Sequence, residues 1–327
     1  MPHAVGYENA IASGVPVKYL FIASTGGHLA QLVRLSESMN AAPDSLWVTF
    51  ETEQSTSLMR GRRVLYVPYV RSRDVRGVLR TIGLVRKALR SERFDRAIST
   101  GAALALGVFP VAMLRRIPRT YIESVSRVEG PSMTGRIVAA AHLAELRTQH
   151  AGWAGARWKQ HPSVLAQFTR VPKAAAGPVG DPLKIFVTLG TIKPYRFDSL
   201  VNGILATGLA SEATSWQLGD TDRAGLPGDA RLHVGSDEFD RLSADADVVV
   251  THSGVGTILG LLERGIYPVI VPRRKSRGEH VDDHQEQIAA LVKKLGVGEV
   301  CEADELDADV IRRAATFTIS AGKGAAL

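Results

Sequence analysis

Cysteine is nearly absent, since Cys301 is the only one in 327 residues. A single cysteine excludes a disulfide framework and a cysteine-rich metal site, and it suits a reducing compartment. Residues 1–16 lack the basic start and apolar run of a secretory signal, so we expect a flexible tail there. With 45% hydrophobic and 22% charged residues, the chain has the composition of a globular protein rather than a disordered one.

Negative charge is scarce in the first half of the chain. Residues 1–180 hold 24 Lys and Arg against 11 Asp and Glu, a net charge of +13, whereas residues 181–327 hold 16 against 22, a net charge of −6. Such a split predicts that the two halves face different surroundings or partners.

The densest run of positive charge lies between Arg71 and Arg96, where nine of 26 residues are Lys or Arg. Its spacing predicts an amphipathic helix from about Asp74 to Ser91. The basic face carries Arg76, Arg80, Lys87 and Arg90, and the apolar face carries Val75, Val78, Leu79, Ile82, Val85 and Leu89. Such a basic face is either a solvated surface or a contact with an anionic membrane. We expect no nucleic-acid partner, because no aromatic-interleaved platform or recognition motif accompanies it.

Short apolar runs alternate with glycine-bearing loops and helical patterns in both halves. In the first half the runs begin at Lys18, Ser45, Arg63, Arg96 and Thr120, and in the second at Lys184, Ser215, Arg231, Asp247 and Tyr267. This alternation predicts an α/β fold of two Rossmann-like, doubly wound parallel-sheet domains facing a cleft. The predicted domains are 17–170 and 183–327, joined by a Pro-, Gly- and Ala-rich linker at 171–182.

The segment DVVVTHSGVGTILG, residues 247–260, has the form of a phosphate site. A strand that ends in small residues and opens a helix offers free backbone N–H groups and the positive end of the helix dipole. Gly254 and Gly256 allow close approach of a ligand to the backbone, and Ser253 and Thr257 add hydroxyl donors.

The same glycines also fit a different class of enzyme, an NADP-dependent oxidoreductase. Gly254, Gly256 and Gly260 spell a variant of the dinucleotide fingerprint, and Arg273 and Arg274 follow where such enzymes hold the 2′-phosphate. Against this interpretation, the motif comes late in the chain and no residues for hydride transfer accompany it.

The next loop, RRKSRGEHVDDHQ at residues 273–285, favours sugar recognition. Carboxylates and an amide at a strand end can form hydrogen bonds with sugar hydroxyls. The loop's acids, histidines and amide are Glu279, His280, Asp282, Asp283, His284 and Gln285. The two histidines could instead bind a metal at i, i+4 spacing, but no third ligand is evident and we expect no metal.

Longer strings of the sequence resemble one group of enzymes. The second half of the chain is similar to the donor-binding subunit of the eukaryotic N-acetylglucosaminyltransferase that adds the second sugar to the dolichol-linked precursor. The strings that carry this similarity are VTLGT with a following FDSLV, then THSGVGTI, then VPRRKSRGEHVDDHQ. ASTGGHLAQL, STGAALALG and YIESVSRVEGPSMTGR resemble its other, membrane-tethered subunit. Bacterial exopolysaccharide glycosyltransferases of glycosyltransferase family 28 type share both halves, so the chain resembles a fusion of the two. More distantly, it is similar to MurG of peptidoglycan synthesis.

The resemblance implies a GT-B fold and a UDP-sugar-dependent hexosyltransferase that inverts the anomeric centre without a metal or other cofactor. It implies a lipid (polyprenyl-pyrophosphate)-linked sugar as the acceptor, a role in cell-surface polysaccharide or glycan biosynthesis, and a cytoplasmic location, peripheral on the inner face of the plasma membrane. The charge split agrees with this, with the basic half toward anionic lipid. A nucleotide-sugar 2-epimerase would use a similar fold and similar donor loops, and stays an alternative.

The motif matches imply roles for individual residues. The donor would be bound by Gly190, Thr191, His252, Ser253, Gly254, Gly256, Thr257, Glu279, Asp283, His284 and Gln285. The acceptor would be bound by Ser24, Thr25, Gly26, Gly27, Thr100, Gly101, Ser126 and Arg127. Many relatives carry a ribose-binding acid at the position of Gly260, so ribose recognition must come from elsewhere, such as Glu263 or Glu279.

Inverting transfer needs a base that takes the proton from the acceptor hydroxyl. The two catalytic candidates are His28, which ends the STGGH loop, and Glu123, at a strand end of the same domain. A histidine titrates near neutral pH without any perturbation. Each candidate also has a structural interpretation, His28 as a helix-capping or pyrophosphate-contacting residue and Glu123 as an ion pair with Arg127.

Overall fold

The computed structural model describes residues 15–69, 75–90, 92–173, 182–281 and 283–322. It divides into two units, an N-terminal one that ends at Val164 and a C-terminal one from Leu165 to Gly322. Each unit is built around its own parallel sheet.

Seven strands form the sheet of the N-terminal unit, in the order β3-β2-β1-β4-β5-β6-β7, and all neighbours pair in parallel. The strands are β1 (Tyr19–Ala23), β2 (Leu46–Phe50), β3 (Arg63–Val67), β4 (Arg96–Gly101), β5 (Arg119–Ile122), β6 (Glu145–Thr148) and β7 (Trp158–Gln160). The strand order reverses between β1 and β4. The loops that follow these two strands therefore lie together at the carboxyl edge of the sheet, where such folds bind ligands.

In the described residues, the α-helices beside this sheet are α1 (Gly27–Ser36), α2 (Glu53–Leu58), α3 (Val75–Ala88), α4 (Leu104–Leu114) and α5 (Met133–Ala140). α4 is apolar nearly all round, and its side chains are buried against the sheet until Met113 and Leu114. Of the helices in the described ranges, none has both the length and the apolar character needed to cross a bilayer.

The predicted basic helix exists as α3, but Leu79 of its predicted apolar face turns outward, and the side chains of Val75 and Val78 lie outside the described part of the structure. α3 packs on α4, and Thr81, Val85 and Leu89 are fully buried at i, i+4 spacing. Leu79, which we predicted on the apolar face, is 62% exposed because this spacing turns it outward. Arg80, Lys87 and Arg90 are exposed as predicted, whereas the side chain of Arg76 lies outside the described part of the structure.

Six parallel strands form the main sheet of the C-terminal unit, in the order β11-β10-β9-β12-β13-β14. They are β9 (Ile185–Thr188), β10 (Thr214–Gln217), β11 (Asp229–Arg231), β12 (Val248–His252), β13 (Val269–Val271) and β14 (Glu299–Val300). The helices are α6 (Asp198–Ala206), α7 (Ser236–Asp245), α8 (Val255–Glu263), α9 (His284–Leu295) and α10 (Ala308–Ala315). The order reverses between β9 and β12, as it does between β1 and β4, and this confirms the predicted pair of doubly wound parallel sheets.

A separate antiparallel pair joins the beginning of the C-terminal unit to its end. β8 (Phe168–Pro172) pairs with β15 (Phe317–Ala321) from Phe168 opposite Ala321 to Pro172 opposite Phe317. Val171 and Pro172, which we predicted to open the linker, thus belong to a strand. Residues 174–181 of the predicted linker lie outside the described residues.

Candidate active site

The loop after β1 leads directly into α1, and residues 24–28 are all partly exposed. Gly26 takes a φ of 85°, and its N–H donates to Gln54 Oε1 at 2.8 Å. As the residue before α1, Gly26 supplies no side-chain cap. The first N–H groups of the helix are therefore available to a ligand, together with the hydroxyls of Ser24 and Thr25. Gly27 is the first residue of α1.

His28 is held in one tautomer by the end of β4. Its Nδ1 lies 2.8 Å from the Thr100 carbonyl oxygen. A carbonyl can only accept, so Nδ1 carries the proton and Nε2 keeps its lone pair. Burial lowers the pKa of His28, and the nearby Arg127 guanidinium lowers it further. At neutral pH the ring is thus uncharged, with a basic nitrogen at Nε2.

Thr100 and Gly101, which we predicted to bind the acceptor, hold His28 in the structure. The Thr100 hydroxyl donates to the His28 carbonyl at 2.7 Å and is fully buried. Gly101 has a φ of 126°, and a Cβ there would lie 2.8 Å from His28 Cε1. Only glycine suits both the backbone conformation and the space that the imidazole occupies.

Glu123 is fully buried, and its carboxylate accepts hydrogen bonds from neighbouring residues of the protein. Oε2 accepts from the Ser132 N–H at 2.9 Å and from the Ser132 hydroxyl at 3.0 Å, while Oε1 accepts from the Ser124 N–H at 3.1 Å. Burial raises the pKa of this carboxyl, and the hydrogen bonds oppose the rise. This geometry gives Glu123 a structural role at the start of α5 and makes it a poorer base candidate than His28.

Gln31 organises the loop that follows Glu123, and the sequence analysis missed it. Its Nε2 donates to Gly27 O and Ser124 Oγ, and its Oε1 accepts from the Val125 N–H and from Gln149 Nε2. The available signal was an amide within the apolar helical pattern LAQLVRL. Two of these four hydrogen bonds fix α1 against residues 124 and 125.

Ser126 and Arg127, two predicted acceptor residues, continue this loop and are partly exposed. The Ser126 and Ser124 hydroxyls lie 2.9 Å apart, and the Arg127 carbonyl accepts from Trp153 Nε1 at 3.0 Å. Gln31 on α1, the helix that follows the β1 loop, bonds to Ser124 and Val125, so the structure brings this loop to the start of α1. The acceptor residues of the prediction thus come together at one sheet edge.

His252, which we predicted to bind the donor, lies beneath the two glycine loops of the C-terminal unit. A Cβ on Gly190, whose φ is 79°, would lie 2.6 Å from His252 Cε1, and one on Gly254 would overlap His252 Nε2. The ring is 8% exposed, and burial lowers its pKa to about 3. His252 is therefore neutral at physiological pH and supports the loops from below, with Thr191 exposed beyond Gly190.

The beginning of α8 has the features expected of an anion site. Gly254 precedes the helix without a side-chain cap, and the first-turn residues Gly256 and Thr257 are partly exposed. The Ser253 hydroxyl is buried and has no hydrogen-bond partner among the described residues. An unpartnered buried hydroxyl beside free helix N–H groups suits a bound phosphate.

Gln285 connects this loop to the loop after β13. Its Oε1 accepts from the Ser253 N–H at 3.2 Å and the Arg273 N–H at 3.1 Å. Two N–H donors at the same oxygen fix the orientation of the amide, so Nε2 points away from both.

Glu279 and the two arginines that the oxidoreductase interpretation required are engaged within the protein. The Glu279 carboxylate accepts from the Ser199 hydroxyl at 2.5 Å and the Arg274 N–H at 3.0 Å, and its residue is 4% exposed. Both hydrogen bonds engage the Glu279 carboxylate within the protein, and its role as a sugar or ribose ligand stays a prediction. Arg273 is fully buried, and Arg274 pairs with Glu302 and Glu286, so neither guanidinium is open to a 2′-phosphate.

The remaining predicted donor residues lie at the start of α9. Asp283 precedes this helix, is exposed, and accepts from the Lys275 N–H at 3.1 Å. His284 begins α9, but its side chain is outside the described part, as is Asp282. Within the described ranges, no group of three or more His, Cys, Asp or Glu side chains is placed to hold a metal ion.

Comparison with solved structures agrees with this architecture. MurG of Acinetobacter baumannii is 17% identical, covers 90% of this chain and 89% of its own, and gives a TM-score of 0.53. The glycosyltransferase SnogD of Streptomyces nogalater is 20% identical over 92% of this chain and 93% of its own, with a TM-score of 0.50. A UDP-N-acetylglucosamine 2-epimerase described for Listeria monocytogenes is 10% identical, covers 94% of this chain and 92% of its own, and gives a TM-score of 0.51. These likenesses define the fold as GT-B.

The fold and a family match together define the class of protein. Residues 235–315 match the glycosyltransferase family 28 C-terminal domain, a segment that contains α8, the Ser253 loop and Gln285. The chain is therefore a glycosyltransferase of the GT-B fold, with a family 28 type C-terminal domain. No curated protein sequence matches the chain.

Proposed function

We propose that the chain transfers a sugar from a UDP-sugar to a lipid-linked saccharide, with inversion and without a metal. The observation that carries the proposal is the uncapped start of α8 beside the buried, unpartnered Ser253 hydroxyl. Fixed N–H dipoles and hydroxyls stabilise a diphosphate in the way that a cation otherwise would. The N-terminal unit would then hold the acceptor, as a fused counterpart of a separate acceptor subunit.

In the proposed step, the acceptor hydroxyl oxygen attacks the anomeric carbon and the bond from that carbon to the UDP oxygen breaks. His28 Nε2 takes the hydroxyl proton, which its tautomer allows because Nδ1–H is committed to Thr100. UDP leaves as an anion, stabilised by the first turn of α8.

A screen of UDP-sugars for UDP release, with and without a polyprenyl-pyrophosphate sugar, tests the proposal. We expect release that depends on both substrates. A nucleotide-sugar 2-epimerase is the second candidate, since solved epimerases share the fold. Conversion of a UDP-sugar with no lipid present would replace our proposal with that one. Thermal stabilisation by NADP⁺ but not by UDP would contradict both.

We also propose that the N-terminal unit binds an anionic membrane surface. Exposed arginines and a lysine lie on and after α3, which packs on α4, and α4 in turn contacts α5; all three helices also expose apolar side chains. The apolar side chains are Leu79, Leu84, Met113, Leu114, Met133 and Ile137. A surface that combines basic and apolar side chains suits a membrane interface, where each basic residue contributes about 1 kcal/mol.

Flotation with vesicles tests this surface. Replacing Arg80, Lys87 and Arg90 together with Gln is expected to reduce recovery with phosphatidylglycerol vesicles, and wild-type recovery is expected to fall with added salt. The matched control replaces three exposed cations of the C-terminal unit: Lys293, Lys294 and Arg312. Equal recovery of both triple variants would contradict a specific role for this surface.

A further inference from the structure

Arg273 is fully buried and bonds to main-chain carbonyls instead of a carboxylate. Its Nη2 donates to Leu189 O at 2.7 Å, and its Nη1 donates to Glu279 O at 2.9 Å and Tyr195 O at 3.0 Å. The guanidinium lies 4.7 Å above the ring of Phe197. Burial lowers the pKa of Arg273 to about 10, which leaves the side chain charged at neutral pH.

These carbonyls belong to loops that follow two different strands. Residues 189–197 follow β9 and include Gly190 and Thr191, whereas residues 273–279 follow β13. The main-chain N–H of Arg273 also donates to Gln285 Oε1, the atom that accepts from the Ser253 N–H after β12. Arg273 therefore joins the loops after β9 and β13 directly, and it is linked to the loop after β12 through Gln285 Oε1.

A buried charge with no directly bonded carboxylate is expensive even with Glu279 nearby, so stability alone gives little reason for an arginine here. The planar guanidinium directs several N–H groups at fixed angles, and this rigidity holds the carbonyls of separate loops in one arrangement. We propose that Arg273 is the positioning residue of the donor site, which sets the β9 loop and the loop after β13 at the spacing that binds a nucleoside diphosphate. This inference rests on the proposed function.

Arg273→Lys tests the geometry of the guanidinium, because a lysine carries all its donors on one nitrogen and cannot direct N–H groups at carbonyls of separate loops. We expect faster amide hydrogen exchange in residues 189–197, with the β9 and β12 amides still protected. We also expect a UDP dissociation constant raised about tenfold, the scale of losing one or two hydrogen bonds to a charged group. Phe197→Leu, which removes the ring under the guanidinium, is the milder second variant and is expected to act in the same direction.

Arg119→Lys is the matched control, because Arg119 also bonds to main-chain carbonyls, those of Leu143 and Ile117, but in the N-terminal unit. It is expected to leave UDP affinity unchanged. Wild-type affinity for UDP in Arg273→Lys, or a loss of protection spread across the whole C-terminal sheet, would overturn the positioning role alone. Failure of the wild-type protein to bind UDP would overturn the proposed function and this inference together.

Discussion

The two units share one strand order but use a histidine differently where that order reverses. His28 lies after β1 and packs on Gly101 at the end of β4, whereas His252 ends β12 and packs on Gly190 after β9. His28 is partly exposed, with Nδ1 bonded to a carbonyl. His252 is buried between glycines, and its pKa is lowered to about 3. A histidine beside a glycine loop can thus be partly exposed or buried beneath the loop, and its surroundings decide which.

The largest effect is expected at His28. His28→Ala should lower kcat at least about a hundredfold, the scale of general base catalysis, with UDP binding retained. Steady-state kinetics with both substrates saturating measures this, with His142→Asn as control because His142 is exposed and asparagine tolerates its φ of 51°. In Glu123→Gln we expect lower thermal stability and little change in kcat of the folded enzyme. A hundredfold loss of kcat in that variant alone would reassign the base to Glu123.

A smaller effect is expected where His252 supports the donor loops. Gly254 has a φ of −78°, which alanine adopts freely, so within the protein the added methyl group of Gly254→Ala overlaps His252 without straining the backbone. Overpacking of this kind costs about 1–3 kcal/mol of folding stability, and we expect the displaced loop to bind UDP more weakly. The double variant with His252→Ala should recover part of the loss. Gly83→Ala is the control, since a Cβ there meets nothing within 4 Å. Additive losses in the double variant would show that the ring does not press on the loop.

The smallest effect concerns pH. The folded pKa of His252 is about 3 against an ordinary value of 6.5, so protonation favours the unfolded chain. The stability that comes from keeping His252 neutral is fully present above pH 6.5 and is lost as the pH falls from 6.5 toward 3. The free energy of unfolding decreases in this range by at most about 1.36 kcal/mol per pH unit. Urea denaturation at pH 7 and pH 5 measures the loss, which should be smaller in His252→Gln. The same loss in both proteins would assign the acid sensitivity to other groups.

The strands and the glycine loops were predictable, because they depend on local pattern. The predicted run at Lys18–Ala23 is β1 from Tyr19, and the run at Asp247–Thr251 is β12 from Val248 to His252. The resemblance strings also led to the GT-B fold, which the comparisons confirm.

The inward orientation of several polar side chains was not predictable. Glu123 turns toward Ser132, Glu279 toward Ser199, and Arg273 toward a carbonyl 84 residues away. These contacts arise only when distant segments meet at a sheet edge, and the sequence pattern of an acid near a ligand loop is the same whether it faces inward or outward. The assignment of donor and acceptor residues stays a prediction for the same reason.

The β8–β15 pair has a consequence for how the chain is made. All strands of the N-terminal sheet have been made once translation reaches Gln160, where β7 ends. That sheet can therefore form while the ribosome is still adding the C-terminal unit. β8 is made soon afterwards, but its partner begins only at Phe317. For about 145 residues of translation the edge of β8 is without its neighbour, a period in which a chaperone or a second nascent chain could pair with it.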